Sequence, residues 1–273
     1  IIMYIIDTHA HLYGEEFTED IDQVLERARQ NGVGKIFLPN IDEPSIAAMN
    51  RLVEKNPGFL YPMMGLHPTD LGQDYREVLQ RMEKLVAAPG HPYIGIGEVG
   101  LDYYWDDSMK KEQLAAFDFQ VQLALKYDLP LMIHSRSAHT DLVRVLDAYR
   151  GEPLRGVFHS FVGTVEEAEE LLAFKDFALG INGIVTFKKS DLPTTLQTVV
   201  PLHRLVLETD SPYLAPVPYR GKRNESGYLP QVVQKLSQIY GVDENEIIRH
   251  TAATALKLSL IHISEPTRLA LIS

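Results

Sequence analysis

The chain has no cysteine among its 273 residues, one tryptophan, and fewer basic than acidic side chains. The missing cysteines exclude disulfides and thiolate-held zinc, so a metal would have to be bound by His, Asp and Glu. No apolar run approaches the roughly 18 residues of a membrane span, and no leader pattern precedes Asp7. The expectation is a cytoplasmic protein without a membrane partner. A formal net charge of −11 argues against coating long nucleic acid by charge alone. It leaves room for a local anion site built from metal ions and a few arginines. With 45% apolar residues the chain can bury one barrel-sized core or two small ones.

What is present is alternation. Apolar, β-rich runs occupy 4–9, 35–39, 60–65, 93–98, 130–134, 156–159, 177–181 and 204–208. Between them lie stretches of helical spacing, as in Ile21, Val24, Leu25 and Ala28, or Leu114, Phe117, Val121 and Leu125. Thr164 followed by Glu167 forms a capping-box pattern. Eight strand–helix units predict an α/β fold of (β/α)8 TIM-barrel type, and a doubly wound open sheet is the alternative that alternation allows. Residues 1–258 read as a single barrel domain. Residues 259–273 lack periodicity and read as a disordered or foreign extension.

The chemistry-bearing residues follow the apolar runs. In a strand, residues two apart face the same way, so His9 and His11 present two imidazoles side by side. Later runs end in His67, Glu98, His134, His159 and Asp210. A parallel barrel brings all its strand C-termini to one face, where such enzymes carry their sites. Each residue alone has an ordinary reading: Glu98 or Asp210 as a helix cap, the histidines as hydrogen-bonded core or loop groups. Together they imply a pair of divalent metal ions, Mg, Mn or Zn. His9 and His11 with Asp210 hold one, His134 and His159 the other, and Glu98 bridges. Asp210 is the expected general base, with Glu98 sharing its catalytic role. Glu208 reads as supporting the site from the barrel interior.

Arg136 and the loop Tyr219-Arg220-Gly221-Lys222-Arg223-Asn224-Glu225 supply positive charge at the same rim. Arg136, Arg220, Lys222 and Arg223 are candidate phosphate clamps, since loops after the last barrel strands often bind phosphate. Tyr103, Tyr104 and Trp105 either stack a base or pack their own loop.

Assembled in order, these motifs resemble the TatD family of metal-dependent nucleases. The similarity runs from Ile5 to about Leu258, and rests on Asp7-Thr8-His9-Ala10-His11, Gly65-Leu66-His67-Pro68, Gly97-Glu98-Val99-Gly100-Leu101-Asp102, Ile133-His134-Ser135-Arg136, Phe158-His159-Ser160-Phe161 and Leu207-Glu208-Thr209-Asp210-Ser211-Pro212. The resemblance implies divalent-metal phosphodiester hydrolysis from the 3′ end of DNA, with His67 near the substrate, while the residues themselves leave RNA open as a phosphate-bearing substrate. Ser135 and Ser160 stand where many members carry Cys, which leaves the ligands intact. Ser226 replaces a common Pro, a change expected to alter loop stiffness only. The family is often described as Mg-dependent, whereas four imidazoles favour Zn, Mn, Fe or Co. The competing enzyme reading is an amidohydrolase-type ester or amide hydrolase, such as a deacylase acting on misacylated tRNA. A non-catalytic metal-binding protein is the third; the complete donor set argues against it.

Overall fold

The computed structural model describes residues 4–104 and 107–263. Trp105 and residues 264–273 therefore lie outside the described residues. Among the described residues the strands are β1 (Ile5–Asp7), β2 (Val33–Pro39), β3 (Leu60–Met63), β4 (Ile96–Asp102), β5 (Leu131–Arg136), β6 (Gly156–Phe158), β7 (Phe177–Ile181) and β8 (Leu205–Leu207). The intervening helices are α1 (Ile21–Gln30), α2 (Ile46–Lys55), α3 (Tyr75–Ala87), α4 (Lys110–Lys126), α5 (His139–Asp147), α6 (Val165–Leu172) and α7 (Leu192–Val199). After β8 come α8 (Leu229–Tyr240) and α9 (Glu244–Ile263).

Every ladder is parallel, in the orders β1-β2-β3 and β4-β5-β6-β7-β8. Backbone hydrogen bonds join the two sheets at both seams. Between β3 and β4, Ile94 N donates to Pro62 O at 2.9 Å and Met64 N to Gly95 O at 3.0 Å. Between β8 and β1, Thr8 N donates to Leu207 O at 2.9 Å and His11 N to Ser211 O at 2.8 Å. The architecture is the α/β barrel expected from the alternation, and the open doubly wound sheet is set aside.

Two apolar layers follow from the period of the strands. The larger lies between the strands and the helices, where α1 buries Val24, Leu25 and Ala28. The smaller fills the barrel, and each strand or its approach adds one residue: Ile6, Phe37, Met63, Ile94, Met132, Val157, Ala178 and Val206. Ala252, Ala255 and Leu258 of α9 pack beneath it and close the bottom. α9 continues through buried Ser259, whose Oγ donates to Ala255 O at 2.7 Å, so the helix passes the boundary drawn at 258. Among the described residues no helix is long and apolar enough to cross a membrane.

The capping box is present: Thr164 Oγ1 accepts from Glu167 N at 3.2 Å, and Glu167 Oε2 from Thr164 N at 2.8 Å. The fourth strand lies further along than the apolar run suggested, at Ile96–Asp102 rather than 93–98. Its polar, glycine-rich end pairs with β5 through Gly100 and His134 and through Asp102 and Arg136, pairing that composition alone does not announce. Because Phe37 is 2% exposed inside the closed barrel, Phe37→Ala is expected to cost about 3–5 kcal/mol of stability. Urea unfolding measures the loss.

Candidate metal centre

One step along the strands from the apolar layer, the inward positions turn polar. Two residues beyond Ile6, Met132, Val157 and Val206 stand Thr8, His134, His159 and Glu208. The remaining members come from the turns that follow. Asp210 N donates to His9 O at 2.9 Å, which locks the Asp210 turn to the His9 segment across the seam. Asp210 holds φ at 58°, a left-handed conformation that Asp tolerates better than most residues. Glu98 N donates to Asn40 O at 2.9 Å. Gly65 permits this crossing, since a Cβ there would come within 2.5 Å of the Gly97 carbonyl carbon.

Glu98 is the hub. Its Oε2 lies 3.1 Å from His9 Nε2 and 3.2 Å from His11 Nε2. Its Oε1 lies 3.1 Å from His134 Nδ1, 3.4 Å from His67 Nε2 and 3.8 Å from His159 Nε2. Asp210 Oδ1 faces the same group, 3.7 Å from His9 Nε2 and 3.6 Å from both His11 Nε2 and His159 Nε2. The rings of His9 and His159 stack with centroids 3.4 Å apart. All six sequence-derived ligand candidates thus meet in one cluster.

Each histidine's outer nitrogen decides what its inner one offers. Tyr13 donates its only hydroxyl proton to Pro39 O at 2.6 Å, so at 2.9 Å it accepts from His11 Nδ1. His11 Nε2 then carries the lone pair inward. Asp102 Oδ2 lies 2.8 Å from His134 Nε2, which donates to it and leaves Nδ1 as the ligand atom. Glu208 Oε1 sits 3.0 Å from His159 Nδ1 and accepts from Ser160 N at 2.6 Å. A Cβ on Gly180 would overlap the Glu208 carboxylate. His67 is different: Thr69 N donates to its Nδ1 at 3.2 Å, so in the neutral ring Nε2 carries the proton toward Glu98. A group of His67, Glu98 and His134 is close enough to hold an ion. The tautomer nevertheless makes His67 a hydrogen-bond donor.

The donor set fits divalent cations. Metal–ligand bonds of about 2.0–2.2 Å place adjacent ligand atoms about 3.0–3.6 Å apart. His9 Nε2 and His11 Nε2 approach to 3.1 Å, and two neutral imidazoles can share at most one proton there. His9 Nδ1 is buried without a hydrogen-bond partner. The charges are as skewed as this crowding implies. Burial alone would raise the Glu98 pKa, but His9, His67, His11 and His134 hold it well below the usual range. Burial opposes ionisation of Asp210 as well, and His159 and His11 overcome it. Burial and the neighbouring His159 push His9 down to about 4. Burial would lower His159 too, but Glu208 and Asp210 lift it to about 9.

Sequence reasoning missed the supports. Asp102 appeared only as part of a motif. Tyr13 carried no signal. Gln113 and Gln120 of α4 are both buried. Gln113 pairs with the backbone of Asp102, accepting from its N and donating to its O at 2.8 Å. Gln120 does the same for Leu66 at 2.8 and 3.2 Å. The reading of Ser226 is also corrected: beyond loop stiffness, its Oγ donates to Asp7 Oδ2 at 2.6 Å, a bond that Pro could not make. Asp7 is fully buried, and burial raises its pKa to about 7. Its carboxylate also accepts from Thr209 N and Oγ1, tying β1 to the Asp210 turn.

The basic residues divide. Arg223 is not placed to clamp phosphate, because it is spent on the fold. It donates to Asp20 at 2.7 and 2.8 Å and to Glu16 O at 2.6 Å. Asn224 braces the Asp210 turn through Thr209 O and Tyr213 O, and Glu225 receives Arg27 at 2.7 and 2.8 Å. Arg220 and Lys222 are exposed, with the Arg220 guanidinium 3.7 Å over Phe187. Arg136 is exposed at the end of β5, 3.7 Å over Tyr104.

Partners behind a metal ligand typically matter ten- to a hundred-fold in affinity. Asp102→Ala should therefore weaken binding of one metal equivalent by about that factor, with the far-UV circular dichroism unchanged. Competition against a chromophoric chelator measures it.

Comparison with known proteins agrees with this geometry. The family model described as TatD related DNase matches residues 6–259. The chain is 36% identical over 258 residues to a Bacillus subtilis protein named uncharacterized metal-dependent hydrolase YabD, covering 94% of this chain and 100% of that one. It is 31% identical over 257 residues to the 3′-5′ ssDNA/RNA exonuclease TatD of Erwinia billingiae, covering 92% and 97%. The crystal structure of YjjV, a TatD homolog from Escherichia coli, superposes with a TM-score of 0.88 at 30% identity, over 95% of this chain and 99% of that one. The chain is a metal-dependent hydrolase and belongs to the TatD related DNase family.

Proposed function

We propose that the protein removes nucleotides from the 3′ end of single-stranded DNA or RNA, using two divalent ions and Asp210 as general base. The observation that carries this reading is the six-donor cluster around Glu98, in which nitrogen and carboxylate lone pairs face one another at 3.1–3.8 Å. His9, His11 and Asp210 would hold one ion, His134 and His159 the other, with Glu98 between. Mg, Mn and Zn are the candidate ions, and the imidazole-rich set favours Mn or Zn. Ions bound there would acidify a water and offset charge growing on the phosphate. The Erwinia relative's name supports a single-stranded nucleic acid substrate.

The chain's own groups have distinct tasks. Asp210 stays ionised at neutral pH and keeps 17% of its side chain exposed, so it can take a proton from water entering the mouth. Glu98, also ionised, orients the histidines. His67 directs an N–H at the same space and can donate to a phosphate oxygen. Arg136, Arg220 and Lys222 stand on the rim, where they can meet the flanking phosphates. Arg223 contributes only by holding the loop.

Incubation with 3′-labelled single strands in Mg, Mn or Zn should release terminal nucleotides, and EDTA should stop it. Asp210→Ala should lower turnover by about 10²–10⁴-fold. Intact strands under every metal, with ester or amide substrates hydrolysed instead, would overturn the reading. Arg220→Ala is expected to raise KM several-fold and flatten the dependence of log KM on log salt by about one unit. Steady-state kinetics across a salt series checks it.

A further inference from the structure

The loops after β5 and β6 line a cavity of about 620 Å³ whose interior none of the proposed steps uses, although His159 and Arg136 border it. It lies between α5 and α6, and its size is typical of small-molecule sites. Its apolar wall includes Ile133, Leu142, Phe158, Phe161 and Leu171. Hydroxyls from Ser135, Ser137, Thr140 and Ser160 line the rest. His159 is at once a wall of this cavity and a member of the metal cluster, so the two spaces adjoin.

Most of the lining's charged side chains are engaged within the protein, and Arg136 stands at the cavity's edge over Tyr104. Lys110 Nζ lies 2.7 Å from Asp141, and Arg144 holds the same carboxylate at 2.8 Å. His139 Nε2 lies 2.7 Å from Glu170. Glu167 is engaged in the capping box with Thr164. The walls between these groups are aromatic rings and hydroxyls, a lining that suits an uncharged, flat group with hydrogen-bonding edges.

We propose that this cavity receives the unpaired base of the nucleotide whose phosphate sits at the Glu98 cluster. The proposal rests on the phosphodiesterase reading and adds its base subsite. A base still paired in a duplex cannot enter a pocket between two loops, so the cavity selects a frayed or single-stranded end. The hydroxyl edges, fed by rotatable donors that also accept, suit any base and make the subsite tolerant of sequence.

Binding tests this without turnover. On protein loaded with Mn or Zn, calorimetric titration with dAMP and with 2-deoxyribose 5-phosphate separates the base from the sugar phosphate. The base is expected to improve affinity at least about ten-fold, as stacking on an aromatic wall does. Thr140→Met, which fills the cavity from an exposed position on α5, should bring the dAMP affinity down to that of the sugar phosphate. Phe161→Leu, which removes an aromatic wall, should reduce the preference in the same direction. Equal affinities in the unaltered protein, no binding of either ligand, or a base preference untouched by both substitutions would each overturn the proposal. A preserved base preference alongside intact 3′-labelled strands would instead refute the phosphodiesterase reading and leave the subsite standing.

Discussion

Two ionised carboxylates, Glu98 and Asp210, stand among five imidazoles at the mouth of an otherwise apolar barrel, and the surrounding architecture follows from keeping them there. Removing such groups from water costs several kcal/mol each unless opposite charge and hydrogen bonds compensate. Here the compensation comes from both sides. Imidazoles face the carboxylates inside, Tyr13 and Asp102 hydrogen-bond the outer nitrogens of His11 and His134, and the Glu208 carboxylate stands 3.0 Å from the outer nitrogen of His159. The result is a set of lone pairs directed at a common centre, a donor set that fits a divalent cation.

The barrel supplies that arrangement through its two-residue period. One inward layer is apolar and rests on α9; the next inward positions carry Thr8, His134, His159 and Glu208. Small residues make the second layer possible. Gly180 leaves room for the Glu208 carboxylate, and Gly65 lets the end of β3 pass against the Gly97 carbonyl. Rigidity below and polar crowding above are therefore products of the same strands.

The seam between β8 and β1 matters most for the site, because it brings the two ends of the domain together. Asp7 lies at its centre, accepting from Thr209 and Ser226 while the backbone of His9 receives Asp210 N. The basic loop closes over this seam with Arg223 on Asp20, Arg27 on Glu225 and Asn224 under the Asp210 turn. Part of what looks like a phosphate clamp is thus a bracket. Arg136, Arg220 and Lys222 are exposed.

The alternation of apolar runs and helical spacings determined the barrel, and the barrel's geometry placed every residue that ends a run on one rim. That made His9, His11, Glu98, His134, His159 and Asp210 legible as a group, since period and strand polarity are local properties. The extent of β4 was not legible, because its end from Val99 to Asp102 becomes strand only by pairing with β5. Nor could local pattern show which nitrogen of each imidazole faces the centre, or that His67 donates where its neighbours accept. Those depend on Tyr13 and Pro39, on Asp102, and on Thr69. The fate of the arginines was equally hidden, since Arg223 meets Asp20 from 203 residues away. Residue type and spacing determined what chemistry could gather at the rim. Contacts between distant segments decided which protons, lone pairs and charges remain available for it, because a hydrogen bond once made inside the protein is no longer offered to a ligand.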